Sequence, residues 1–337
     1  MWASWKWRIT LIGCTAGLAA LYLLNASWLA APPTGRPRIV AQRGVAQAYA
    51  IDDESTTTGG SCSARAIKPP THDFIDNTIP SIAAALSDAA DIVEMDIEMT
   101  RDQQFVLFHD FALDCRTNGS GPVSKHDLAD LRNLDAGYGY SADGGMTFPL
   151  RGKGVGLIPT LPKVLQHFPD ALFLVQIKDG DPAVAGPLVT ELDSEVSQPW
   201  ARITFFGSPT VLRRLKRLKP TADVWSARTV QQCGMGYLKT GWFGHVPRIC
   251  DDGMIIVPIE QASLLWGWPN RFLARMREHH TRVMLIGKIQ SLSTGMFSRL
   301  DTPEELAEVP QGFDGLIWTD HINLIGPLAA AKQSSHE

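Results

Sequence analysis

The 337-residue chain has no excess of positive charge. It carries 31 Lys and Arg against 35 Asp and Glu, which gives a formal net charge of -4 at pH 7. Nucleic-acid-binding domains depend on basic patches that neutralise phosphates, so this balance argues against a nucleic-acid partner. An internal repeat and a low-complexity tract are also missing. The length fits one large domain or two ordinary ones.

Charge is absent from a long apolar run near the N-terminus. Residues 9–31 contain no charged side chain, and about 20 helical residues span a hydrocarbon core of roughly 30 Å. Lys6 and Arg8 precede the run, which favours a cytoplasmic N-terminus. We therefore expect residues 1–8 to be cytoplasmic and residues 9–31 to form a signal anchor in the membrane. A cleaved signal peptide ending near residues 27–31 is the alternative.

The rest of the chain is then expected outside the cytoplasm, in a periplasmic or extracellular location. Residues 32–37 form a linker, residues 38–330 the main domain and residues 331–337 a C-terminal tail. In an oxidising location the few cysteines of the chain are expected to form disulfides. No Cys-x-x-Cys spacing exists, which argues against zinc.

Four cysteines remain apart from Cys14, and an even number predicts two disulfides. Three pairings are possible. We favour Cys62–Cys115 with Cys233–Cys250, because the second pair would close one glycine-rich loop. Buried free thiols are the alternative.

Short apolar runs alternate with helical patterns after residue 38. Such alternation predicts a parallel sheet with crossover helices. Eight strand candidates fit a (β/α)8 TIM-type barrel, with a doubly wound open sheet as the alternative. The candidates are residues 38–42, 91–97, 171–177, 202–206, 222–225, 254–257, 282–286 and 315–318. Helices are expected at residues 78–86, 124–131, 160–167, 182–193 and 209–218, with a loop over residues 136–157.

Two carboxylates share one face of the second strand candidate. Glu94 and Asp96 lie two residues apart in an apolar run, so their side chains point the same way. Buried like charges repel and lose hydration, and a divalent cation such as Ca²⁺ or Mg²⁺ resolves both costs. Residues 105–108 are expected to fold back as a hairpin about Asp102, which places His109 opposite Met95. An ordinary amphipathic hairpin with a solvated carboxylate pair is the alternative.

Further polar residues follow other predicted strands, where a barrel places its function. The motifs are Gln42-Arg43-Gly44, Asp76-Asn77-Thr78, Glu94-x-Asp96, His109-Asp110 with Leu113 and Arg116-Thr117, Gln176-x-Lys178, and Thr319-Asp320. Taken together, they resemble the glycerophosphodiester phosphodiesterase family over nearly the whole chain after the apolar run. The resemblance implies a TIM-type barrel with a β-hairpin insertion, one Ca²⁺ or Mg²⁺ ion, and hydrolysis of glycerophosphodiesters to glycerol 3-phosphate and an alcohol.

The resemblance also implies a metal-ligand set. Glu94 and Asp96 correspond to the family's metal carboxylates, and Gln176 and, more weakly, Asp76 stand at further ligand positions. The family usually has Glu where this chain has Asp76 and Gln176. The glutamine keeps an oxygen ligand but removes a charge, which is expected to weaken ion binding.

Four residues correspond to the family's catalytic positions. His109 matches one of two acid–base histidines, Arg43 matches the arginine that holds the phosphate, and Lys178 matches the lysine near the phosphate. Gln42 stands where the family has the other histidine, and an amide cannot exchange a proton as an imidazole does. His72 is a possible substitute, with an exposed loop residue as its alternative interpretation.

Three functions are consistent with these residues. The first is metal-dependent hydrolysis of glycerophosphodiesters by a membrane-anchored enzyme. The second is a catalytically impaired barrel that binds a phosphodiester or lipid headgroup. The third is a lysophospholipase D-like phosphodiesterase that acts on lysophospholipids near the membrane.

Overall fold

A nearly closed parallel barrel forms the centre of the computed structural model, which describes residues 2–49, 62–291 and 296–334. The strands are β1 (Arg38–Ala41), β2 (Ile92–Met99), β3 (Phe105–Leu107), β4 (Leu172–Ile177), β5 (Ile203–Gly207), β6 (Asp223–Trp225), β7 (Met254–Pro258), β8 (Arg282–Ile286), β9 (Ile289–Ser291), β10 (Met296–Phe297) and β11 (Leu316–Thr319). The order around the main sheet is β6-β5-β4-β2-β1-β11-β8-β7, with every neighbouring pair parallel. All eight predicted barrel strands are confirmed.

Helices follow most of the strands and pack on the outside of the barrel. They are α1 (Trp2–Asn25), α2 (Ile79–Ser87), α3 (Leu128–Leu131), α4 (Leu161–His167), α5 (Ala185–Glu195), α6 (Pro209–Leu218), α7 (Ala227–Thr240), α8 (Asn270–Glu278), α9 (Pro303–Glu308) and α10 (Ile322–Ser334). The helix predicted at residues 124–131 is instead a 3-10 turn, Val123–Lys125, followed by the short α3. The predicted C-terminal tail begins inside α10, and residues 335–337 lie outside the described residues.

Alternating side chains on each barrel strand separate the outer core from the barrel interior. On β2, Val93, Met95 and Ile97 are buried in the outer core. Glu94 and Asp96 therefore point into the barrel, as the period of two requires. Below them the interior is apolar, and its cluster includes Val40, Leu174, Phe206, Met284 and Trp318. The candidate site residues lie above this cluster at the carboxyl ends of the strands, whereas Thr204, Asp223 and Arg282 form a separate polar group at the amino ends.

The predicted hairpin insertion is confirmed. β3 pairs antiparallel with β2, and Ile97 lies opposite Leu107. Beyond β3, Phe108 N–H donates to the Asp96 carbonyl at 3.1 Å. The position of His109 opposite Met95 lies past the paired residues and stays a prediction. The hairpin and the loops around it enclose a second small core, which contains Val106, Phe108, Leu113, Tyr140 and Leu150.

Both predicted disulfides, Cys62–Cys115 and Cys233–Cys250, are present. The first links Cys62, at the start of the second described range, to Cys115 in the loop that follows His109. The second joins α7 to the loop before β7. Cys14 is free and exposed.

The end of α1 is fixed to the barrel by a buried arginine. Arg275 in α8 donates to the Leu24 carbonyl at 2.9 Å and to Asn25 Oδ1 at 3.1 Å. Asn270 N–H donates to Ser27 Oγ at 2.9 Å. Within the described residues, no helix combines the length and apolar character needed to cross a bilayer. The signal anchor expected over residues 9–31 stays a prediction.

A buried glutamate between α5 and the hairpin makes stability depend on pH. Glu191 is 6% exposed, and its Oε1 accepts from Phe105 N–H at 3.1 Å. Its Oε2 has no hydrogen-bond partner among the described residues. Burial raises the pKa of Glu191 from 4.5 to about 7. The folded chain therefore holds this proton more tightly than the unfolded chain, and the stability that it contributes is lost as pH rises from 4.5 to about 7.

Glu191→Gln is expected to raise the free energy of unfolding at pH 8 by on the order of 1–2 kcal/mol, because the amide keeps the acceptor without the charge. At pH 4.5 the gain should disappear. Urea unfolding at the two pH values measures it, and Glu195→Gln, an exposed change in the same helix, is the control. An equal effect of the two substitutions would contradict the assigned cause.

Candidate active site

The turn after β1 brings Arg43 into the mouth of the barrel. Arg43 has φ 53° and Gly44 has φ 82°, both in the left-handed region. A Cβ on Gly44 would lie 2.2 Å from Ser81 Oγ, so only glycine fits there. The Arg43 carbonyl accepts from Asn77 N–H at 3.0 Å and from Ser81 Oγ at 2.9 Å. These bonds to α2 and the turn before it fix the backbone from which the guanidinium reaches inward.

Arg43, Lys178 and His109 surround the carboxylate of Asp96. Arg43 Nε lies 3.0 Å from Asp96 Oδ2, and Lys178 Nζ lies 3.7 Å from Asp96 Oδ1. Burial alone would raise the pKa of Asp96, but His109, Arg43 and Lys178 outweigh it and lower that pKa to about 2. Asp96 is therefore ionised at neutral pH. Its charge holds Arg43 and Lys178 at the barrel mouth, where the same two side chains could bind a phosphate.

Asn77 holds Asp96 in place by two hydrogen bonds. Its Nδ2 donates to Asp96 Oδ2 at 3.0 Å, and its Oδ1 accepts from Asp96 N–H at 3.1 Å. Asn77 itself has φ 59°, a conformation that asparagine tolerates better than most residues. The sequence motif contained this residue, but its role as a clamp becomes visible only in the folded chain.

Glu94 and Asp96 each retain one oxygen that fits a cation. Both side chains are fully buried, and neither Glu94 Oε1 nor Asp96 Oδ1 has a hydrogen-bond partner among the described residues. Burial and the neighbouring charge of Asp96 raise the pKa of Glu94 well above its ordinary value. A hard divalent cation would offset both effects, since carboxylate oxygens are its preferred ligands. The residues present therefore fit such an ion.

The two weaker ligand positions differ from each other. Gln176 is paired with Asp96 in the β2–β4 register, so its side chain lies on the same inner face. Asp76 Oδ1 accepts from Gln47 N–H at 3.2 Å, and its Oδ2 accepts from Tyr49 and Arg116. Protein donors thus already occupy both oxygens of Asp76, and its ligand role stays a prediction. Across the described ranges, no group of three or more His, Cys, Asp or Glu side chains is arranged to hold a metal.

His109 is oriented by a chain of polar contacts. Its Nδ1 lies 2.7 Å from Asp110 Oδ1, and Asp110 Oδ2 lies 3.1 Å from Arg116 Nε. His109 is 3% exposed. The Nδ1 contact with Asp110 fixes the orientation of the imidazole ring.

Arg116 connects this histidine to the opposite side of the site. It donates to Asp76 Oδ2 at 3.1 Å and to the hydroxyl groups of Tyr49, Tyr140 and Ser63. The side chain is 3% exposed. The sequence motif included Arg116, but nothing in the residue pattern indicated that it joins two buried carboxylates.

Gln42 and His72 have different surroundings. Gln42 is 5% exposed, and its Oε1 has no hydrogen-bond partner among the described residues. His72 Nε2 lies 3.2 Å from the Ala46 carbonyl, and its Nδ1 lies 3.1 Å from Gln47 Nε2. Partial burial lowers the pKa of His72. Both ring nitrogens are thus engaged by neighbouring loop residues, so His72 is a structural group and not a replacement base.

A family model described as the glycerophosphoryl diester phosphodiesterase family matches residues 68–220. A glycerophosphodiester phosphodiesterase from Bacillus subtilis is 37% identical over 123 residues, which are 35% of this chain and 41% of that protein. One from Caldanaerobacter subterraneus is 30% identical over 166 residues, covering 48% of this chain and 63% of that protein. The chain spans about half the length of the curated relatives it matches.

Solved structures share the fold. The glycerophosphoryl diester phosphodiesterase domain of an uncharacterized protein from Mycobacterium tuberculosis has a TM-score of 0.61 and 18% identity, covering 89% of this chain and 100% of that one. A phosphodiesterase from Oleispira antarctica, solved in complex with the product sn-glycerol-3-phosphate, has a TM-score of 0.55 and 16% identity. It covers 88% of this chain and 97% of that one. At these identities the likeness shows the barrel alone.

Proposed function

We propose that the chain hydrolyses glycerophosphodiesters to glycerol 3-phosphate and an alcohol, because residues 68–220 match the model of the glycerophosphoryl diester phosphodiesterase family. One observation carries the proposal. A fully buried carboxylate pair lies beside Arg43, Lys178 and His109 at the carboxyl ends of the barrel strands, and two of its oxygens accept no hydrogen bond from the described residues. A cation and a phosphodiester together would complement this arrangement of charge.

In this reaction each residue of the site would have a distinct role. Arg43 and Lys178 hold the non-bridging oxygens of the phosphate and stabilise the charge that grows on them during attack. His109, held by Asp110, donates a proton to the leaving alcohol oxygen as its bond to phosphorus breaks. Asn77 holds the Asp96 carboxylate in the position where it pairs with the Arg43 guanidinium.

We further propose that Glu94 and Asp96, with Gln176 beside them, hold one divalent cation. When bound, Ca²⁺ or Mg²⁺ would polarise a phosphoryl oxygen and screen the two carboxylates. Gln176 contributes a neutral oxygen, so the site carries less negative charge than three carboxylates would, and we expect comparatively weak ion binding.

We also propose that the barrel operates outside the cytoplasm. Two disulfides support this location, because paired cysteines persist in oxidising compartments and are rare in the cytosol. The location can be read from the redox state of the four cysteines in cells. Reduced thiols at all four positions would contradict it.

The activity is tested with the purified full chain. We expect release of glycerol 3-phosphate from glycerophosphocholine or glycerophosphoethanolamine with Ca²⁺ or Mg²⁺, and loss of that release with a chelator. Glu94→Gln should raise the cation concentration needed for half-maximal rate. Lysophosphatidylcholine, tested in parallel, distinguishes a preference for lysophospholipids.

The same assay separates an enzyme from a binding protein. An inert wild type whose Gln42→His variant turns over would show that the native barrel only binds its ligand. Metal-independent turnover by the wild type would instead contradict the role given to Glu94 and Asp96.

A further inference from the structure

Asp320 lies beside the position where the imidazole is missing. It follows β11, the strand that pairs with β1, and Val40 is paired with Trp318. The ladder continues, because Gln42 N–H donates to the Thr319 carbonyl at 2.9 Å. Val40 and Trp318 both lie in the interior cluster, so the residues two positions further on face the same side. Neighbouring strands are about 4.8 Å apart, so Gln42 and Asp320 stand side by side at the carboxyl ends of β1 and β11.

The Gln42 amide can accept a hydrogen bond at the end of β1, but it cannot take up or release a proton. Its buried Oε1 has no hydrogen-bond partner among the described residues, so it is available to accept from a hydroxyl group. An amide does not titrate near neutral pH. A hydroxyl held there would still need a neighbouring group that takes up its proton.

Asp301 holds the backbone of Asp320. Asp301 Oδ1 accepts from Asp320 N–H at 2.7 Å and from Thr319 Oγ1 at 2.9 Å. Burial raises the pKa of Asp301, and these two bonds oppose that rise. The charge of Asp301 in turn disfavours ionisation of Asp320.

The groups around Asp320 raise its pKa to about 7, where a carboxylate can act as a general base near neutral pH. Burial, followed by the charge of Asp301, raises the pKa of Asp320 to about 7, while Arg299, Arg43 and His321 act in the opposite direction. Arg299 Nε lies 4.0 Å from Asp320 Oδ1, which is a weak contact. The side chain of Asp320 is 30% exposed, so its proton can return to solvent.

We propose that Asp320 is the group that takes up the proton at this position in place of the missing imidazole, and that Asp301 is its positioning residue. The inference rests on the proposed phosphodiesterase function. In the step, the Asp320 carboxylate removes the proton from an attacking water held by the Gln42 amide, and the water oxygen bonds to phosphorus. The bond from phosphorus to the alcohol oxygen breaks, and that oxygen receives a proton from His109. Asp320 then releases its proton to solvent and His109 regains one.

The test is kcat/KM of the full chain on glycerophosphocholine between pH 5 and 9. The wild type should gain activity with rising pH through about 7, because only ionised Asp320 can act as the base. Asp320→Asn should lower kcat/KM at pH 8 by about 10²- to 10⁴-fold and remove this rise. Asp301→Asn keeps an acceptor oxygen but loses the charge, so it should move the rise to lower pH.

Two further variants complete the design. Gln42→His in the Asp320→Asn background should recover activity, since an imidazole again stands at the strand end. Asp170→Asn, an exposed change at the opposite end of the barrel, should leave the pH profile unchanged. An active wild type whose Asp320→Asn variant keeps the rate and the pH rise would overturn this inference alone. A wild type inert on every substrate would overturn the proposed function and the inference with it.

Discussion

His109→Asn is expected to lower kcat by about 10²- to 10⁴-fold while the fold persists, because the leaving alcohol loses its proton donor. His109 is 3% exposed at the end of the hairpin, and its Nδ1 lies 2.7 Å from Asp110 Oδ1. Asparagine retains a polar group next to Asp110 but cannot exchange a proton at neutral pH. The loss should appear mainly in kcat, with a small change in KM, since Arg43 and Lys178 still bind the phosphate.

His126→Asn is the matched control. His126 belongs to the same insertion, but its Nε2 contacts the Ser120 carbonyl at 2.9 Å, away from the strand ends. Single-turnover rates and circular dichroism on both variants separate catalysis from folding. Comparable losses in the two variants would indicate that the insertion has been disturbed as a whole, and an active His109→Asn would remove the histidine from the mechanism.

Local sequence information was sufficient for the barrel and for one half of the site. Alternating apolar residues fixed the inner face of β2, and the polar residues after each strand followed from the barrel rule. Glu94, Asp96 and His109 lie close together in sequence and on one hairpin. Their proximity therefore required only the strand period and one turn.

Contacts between distant segments were not predictable in this way. Gln42 and Asp320 become neighbours only when β11 pairs with β1, which closes the two ends of the barrel. Arg116 reaches Asp76 across the insertion, and no periodicity indicates that contact. Helix α7 was not predicted, because Gly234 and Gly236 lower its intrinsic helix propensity. Its disulfide and its packing against the barrel are contacts with distant residues, and local sequence does not indicate them.

Arg116→Met is expected to lower the free energy of unfolding by about 3–5 kcal/mol, because it removes the nearer cation from buried Asp76 and the guanidinium from half-buried Asp110. Asp76 and Asp110 would each lose a contact of 3.1 Å, and three hydroxyl groups would lose a donor. Methionine nearly preserves the buried volume, so the loss reports charge and not a cavity. The activity should fall as well, since Asp110 would no longer be held against His109.

Arg101→Met provides the comparison. Arg101 makes a two-pronged pair with Asp127, but its side chain is 59% exposed, so its removal should cost much less stability than removal of Arg116. Adding Asp76→Asn to Arg116→Met should recover part of the stability, because one unpaired charge disappears. Guanidinium unfolding of the four proteins measures these differences. If the double variant were less stable than Arg116→Met alone, the cost would lie in the lost hydroxyl contacts, and the ion pair would contribute little.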